Sequence, residues 1–103
     1  MGYMDRRQSE RIICNIPCSI FTPDCRIYYS GVATNISPIG IGVELMFYDE
    51  SSNISGKDIV IECDQFRVTG NAVRVDRTES GYFIGVWFAE RLSDEILQNM
   101  IHR

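Results

Sequence analysis

Lysine is nearly missing from this chain of 103 residues: Lys57 is the only one, and the sequence pI is about 4.8. A protein that binds DNA or RNA through its backbone needs a basic face, so a general nucleic-acid binder is excluded. A small oligonucleotide-binding barrel fails on the same ground, because it needs basic residues interleaved with aromatics across a sheet. Histidine is equally scarce. His102 is the sole copy, far from any other candidate base in sequence, and no Cys–His pairing, paired-carboxylate motif or phosphate loop is visible. The expectation is a protein that is not an enzyme. No C-x-x-C pair occurs among Cys14, Cys18, Cys25 and Cys63, so neither a metal site nor a cofactor is expected. No uncharged apolar stretch approaches the roughly 20 residues of a membrane helix. No apolar run comes after the charges near the N-terminus, as a signal peptide would require. Cytoplasmic residence with unpaired thiols is the expectation.

What is present is ordinary globular composition, 45% hydrophobic and 23% charged, with length for one domain but not two. Period-two alternation dominates and predicts half-buried strands. Ile12, Cys14, Ile16, Cys18 and Ile20 share one parity, with Pro17 marking an edge or a bulge. A turn at Thr22–Asp24 leads to a second strand over 26–36, with an irregularity at Gly31. After a tight turn at 37–40, a third strand runs over 41–47. Residues 49–56 read as an exposed polar loop and 58–63 as a fourth strand. The apolar set Phe66, Val68, Val73 and Val75 changes parity across Gly70-Asn71, which implies a bulge in one strand or a break between two. Tyr82, Ile84, Val86 and Phe88 line one face of the last strand, with Phe83 and Trp87 on the other. Leu92, Ile96, Leu97, Met100 and Ile101 recur at helical spacing behind a Ser93 cap. The fold class is therefore all-β with a C-terminal helix. About six short strands hide their edges best by closing into a barrel.

Three features could carry chemistry. Arg6, Arg7 and Arg11 precede the first strand. With Asp5 and Glu10 they leave residues 1–11 at +1, while the rest of the chain carries −5. A cationic tip on an acidic domain suits a small anionic ligand. Guanidinium groups fit phosphate oxygens and the guanine edge, and they stack on bases. Such residues are also commonly plain solvated charge. Asn35-Ile36-Ser37-Pro38-Ile39-Gly40 forms the second feature. Asn35 and Ser37 can address a purine edge, and Gly40 would let a ligand approach the backbone. The same residues also suit an ordinary hairpin in which Asn35 and Ser37 satisfy their own backbone. The third feature is Arg74, which lies between Val73 and Val75 and so faces away from the core.

Taken together, Arg7-x-x-x-Arg11 followed by Asn35-x-Ser37-x-x-Gly40 at a strand end resembles the PilZ domain family. Gly70-Asn71-Ala72-Val73-Arg74 and Gly81 through Phe88 resemble that family's later strands. The resemblance runs from Arg6 to the last helix. It implies a single PilZ domain over 1–103: a mobile arm at 1–11, a six-stranded antiparallel split barrel at 12–90 and a helix at 92–103. It also implies binding of cyclic di-GMP, with Arg7 and Arg11 gripping phosphates and guanine faces. Asn35 and Ser37 would bond the base, Gly40 would permit close contact, and Arg74 would face the ligand. Arg6 could stack on a second copy, so an intercalated pair of messenger molecules is the expectation. Ordering of the arm would change a surface read by an unidentified downstream protein. The competing reading is an adaptor of the same fold that no longer binds the nucleotide.

Overall fold

The computed structural model describes residues 11–101. Six strands run in order: β1 (Ile12–Phe21), β2 (Tyr28–Ile36), β3 (Gly40–Leu45), β4 (Asp58–Glu62), β5 (Arg67–Thr78) and β6 (Gly81–Phe88). A helix, α1 (Asp94–Ile101), ends the chain. All pairings are antiparallel and the sheet closes as β1-β2-β3-β6-β5-β4. The closing seam is short, because β1 meets β4 only at Ser19, Ile20 and Phe21. Pro17 lies below that seam, where β1 has β2 as its one strand neighbour, so its missing N–H breaks no second ladder.

The alternation places the core as expected. Ile20, Ile36, Ile41, Val43, Ile59, Ile61, Ile84 and Val86 point inward and are almost fully buried. Each such side chain contributes about 1.5–3 kcal/mol of hydrophobic stabilisation. Cys18 is buried with them, Cys14 packs at the margin, and all four cysteines are free thiols. Burial pushes the Cys18 thiol up to about 12, helped by Cys63 nearby. It is a small apolar core residue rather than a nucleophile.

Several expectations change. The first turn is longer, with Ile27 donating its amide to the Thr22 hydroxyl and accepting from the Thr22 amide, so β2 begins at Tyr28. Gly31 pairs regularly with Cys18, and the irregularity in β2 falls at Thr34. In the polar loop Ile54 is buried, and the Tyr48 hydroxyl accepts from its amide at 3.0 Å and donates to Asn53. Burial of Ile54 and the two Tyr48 hydroxyl bonds together help hold that loop.

The parity change in β5 is a bulge within one strand. It lies at Val73 rather than at Gly70-Asn71: Ala72 pairs with Val86, Arg74 pairs with Gly85, and Val73 is left over and exposed. The helix is shorter than 92–103 at its start. Ser93 caps it, its hydroxyl accepting from the Ile96 amide at 3.3 Å. Among the described residues no helix is long and apolar enough to cross a membrane.

Candidate functional site

The strand register lines up one row across the outer wall. Ile13 on β1 pairs with Asn35 on β2, Asn35 with Gly42 on β3, Gly42 with Gly85 on β6, and Gly85 with Arg74 on β5. Three bulges border this row. Cys14 and Asn15 together face Thr34, Thr34 is unpaired against β3, and Val73 is unpaired against β6. An extra residue in a strand re-aims its neighbours. With Ala33 and Ile36 both buried, the Thr34 bulge leaves Asn35 on the outside. The Val73 bulge does the same for Arg74 beyond buried Ala72.

Two glycines in the middle of the row make room for an aromatic ring. A Cβ on Gly42 would lie 2.6 Å from both Asn35 Nδ2 and Phe83 Cζ, so the Phe83 ring occupies the space a side chain would need. Beyond Phe83 stands Arg74, its guanidinium carbon 5.9 Å from the ring centroid. Arg74 Nε also donates to Asp76 Oδ2. At the other end, Arg11 Nη1 donates to Asn35 Oδ1. The wall therefore offers a guanidinium at each end, an amide, and an aromatic face laid over two glycines. Such a surface can take a flat aromatic group bearing anions.

The turn behind Asn35 is held from within. Ser37 is 1% exposed, and its Oγ accepts from the amides of Ile39 at 3.3 Å and Gly40 at 3.2 Å. Ser37 N donates to Gly40 O, Phe88 N to Ile39 O, and Leu92 N to Pro38 O. The hydroxyl is thus a strut of the turn. Gly40 has a structural reason of its own, since a Cβ there would meet Val86 O at 2.7 Å. Its backbone does not take positive φ. Arg6 and Arg7 lie outside the described residues. Among the described residues no cluster of His, Cys, Asp and Glu could hold a metal ion.

Of the expected site residues, Asn35 and Arg74 share one row and Arg11 reaches it through its bond to Asn35, while Ser37 and Gly40 lie in the turn at its edge. Gly42, Gly85, Phe83 and Asp76 were not singled out from the sequence as site residues. Glycines at alternate positions of otherwise strong strands were the available signal.

Residues 5–103 match the PilZ domain family. The chain belongs to that family. Solved PilZ structures share its fold. The PilZ domain of CeSA from a cellulose-synthesizing bacterium is 22% identical, with a TM-score of 0.60 over 91% of this chain and 97% of that one. The PilZ domain of YcgR from Escherichia coli, solved with c-di-GMP, is 12% identical, with a TM-score of 0.64 over 88% and 82%. The Bacillus subtilis inhibitor of motility MotI/DgrA is 16% identical, with a TM-score of 0.63, and 46% of its length is covered by 89% of this chain. No curated protein sequence matches the chain. Within the PilZ barrel, R-x-x-x-R leads into β1 and N-x-S-x-x-G joins β2 to β3.

Proposed function

We propose that this PilZ protein is a receptor for cyclic di-GMP and that the messenger lies on the outer wall between Asn35 and Arg74. One observation carries the reading. Arg11, from the first motif, hydrogen-bonds Asn35, from the second, so two motifs 24 positions apart share one patch. The ligand is two phosphates and two guanines in one ring, and guanidinium groups answer both. Arg7 and Arg11 grip phosphates and guanine faces from the N-terminal arm. Asn35 addresses the guanine edge and Arg74 the far side. Ser37 and Gly40 act by shaping the turn that presents Asn35. A direct bond from Ser37 to a base would require the turn to open, because the side chain is buried and its O–H points to the Gly40 carbonyl. Arg6 stacks on a second copy, so the ligand is taken as an intercalated pair.

The protein is an effector rather than an enzyme. Binding orders the arm over the wall, and the altered surface is read by a downstream protein in the cytoplasm. Motility, biofilm or exopolysaccharide output is the class of process controlled. A YcgR domain described with c-di-GMP, a motility inhibitor and a domain from a cellulose-making bacterium support that direction. Calorimetric titration with cyclic di-GMP is the test, and saturable heat with two ligands per chain is expected. Folded protein that gives no heat at high micromolar ligand would sink the receptor reading and leave the adaptor.

A further inference from the structure

We infer that Asp76 is a built-in competitor that sets how tightly the wall holds its anionic ligand; the inference rests on the receptor reading above. Asp76 and Arg74 are two apart on β5, both outward, and Arg74 Nε donates to Asp76 Oδ2. The bond uses the Nε edge of the guanidinium, and among the described residues the two Nη atoms make no hydrogen bond. Arginine grips a phosphate through two parallel N–H groups, either side-on through Nε and one Nη or end-on through both Nη atoms. With Asp76 on Nε, that side is taken and an end-on grip through the Nη atoms is left.

The surroundings fix this arrangement. Asp76 pairs across the ladder with Phe83, and Arg74 pairs with Gly85. Phe83 therefore lies beside the carboxylate and under the guanidinium, which keeps the Arg74 stem against the wall. A Cβ on Gly85 would already approach Arg74 Cβ to 3.3 Å. The pair is far from buried, with the two side chains 67% and 43% exposed. An exposed pair of this kind is worth no more than about fivefold in an equilibrium, so a phosphate can displace it. The carboxylate is thus strong enough to weaken binding and too weak to block it. Its effect is to raise the messenger concentration at which the receptor fills.

The test is calorimetry with cyclic di-GMP on four folded proteins: the parent, Asp76→Asn, Arg74→Met and the double variant. Asparagine keeps the shape and removes the charge, and thermal melts check that each variant is folded. Asp76→Asn is expected to bind about two- to fivefold tighter than the parent. In the Arg74→Met background the same change is expected to give less than half that gain. Equal or weaker binding by Asp76→Asn, with the parent binding normally, overturns the inference and leaves the receptor reading intact. An equal gain in both backgrounds overturns it too, because the effect is then bulk charge rather than competition for Arg74. A parent that does not bind overturns both.

Discussion

Two arginines of β5, Arg74 and Arg77, sit three residues apart and make the same kinds of contact, yet their partners differ. Arg77 lies over the Tyr82 ring at 5.8 Å and pairs with Glu50 at 3.0 Å. Arg74 lies over Phe83 and pairs with Asp76. Glu50 is 27 positions from Arg77, in the loop after β3, and the Tyr82 hydroxyl also bonds it. That station ties a loop to the barrel. Asp76 is two positions from Arg74 and ties nothing distant. Beside it the Phe83 ring lies over Gly42 and Gly85, toward Asn35 and Arg11. An ion pair that closes a long loop is a fastening, whereas a local pair on the outer wall holds no distant segment and leaves its guanidinium available to the proposed ligand.

The comparison breaks most visibly at the arm. Arg11→Ala and Arg7→Ala are each expected to weaken cyclic di-GMP binding by about 1.5–3 kcal/mol, the range for hydrogen bonds to charged groups. The melting temperature of the free protein should hardly move. A large stability loss with unchanged calorimetric affinity would assign these arginines to the fold. The turn is expected to behave oppositely. Ser37→Ala strands the part-buried Ile39 amide and the buried Gly40 amide and should cost about 1–3 kcal/mol of stability in urea unfolding. Unchanged stability with lost affinity would make Ser37 a direct ligand contact.

The core supplies a pH test. Cys18 keeps its proton in the folded chain up to about 12, whereas an unfolded thiol loses it near 9.0. Its raised value gives stability that is complete below about pH 9 and lost as pH rises through that window. Melting temperature should therefore fall above pH 9, and fall less steeply in Cys18→Ala. Equal slopes would remove the thiol from the account. The smallest effect belongs to the fastening itself. Arg77→Ala should barely move the midpoint of urea unfolding, because the pair is exposed and screened by solvent. It should leave messenger affinity unchanged, and a loss of affinity would erase the contrast with Arg74.

Strands, helix and motifs were legible because period-two and helical spacing belong to each segment alone. Tyr82, Ile84, Val86 and Phe88 announce their face without reference to any partner. Bulges do not, since an extra residue is defined only against the opposite strand. The sequence around Phe66–Val75 shows that parity changes, but only pairing with β6 puts the surplus at Val73. The Ser37 hydroxyl could face outward or into its own turn, and residue type cannot choose. Gly40 is required by the Val86 carbonyl, a neighbour brought by the pairing of β3 with β6 and distant in sequence. Asp76 looks like a strand-end charge until Arg74 and Phe83 stand on either side of it. Ile54 is hidden in a polar run, and its burial is decided by the barrel end beneath the loop.

If both motifs present one binding wall, an amide NMR titration with cyclic di-GMP reads it residue by residue. The largest shifts are expected at Asn35, Gly42, Phe83 and Gly85, with Asn53 and Ser55 unmoved. Shifts gathered at Tyr48, Asn53 and Ser55, or none anywhere at saturating messenger, would contradict it.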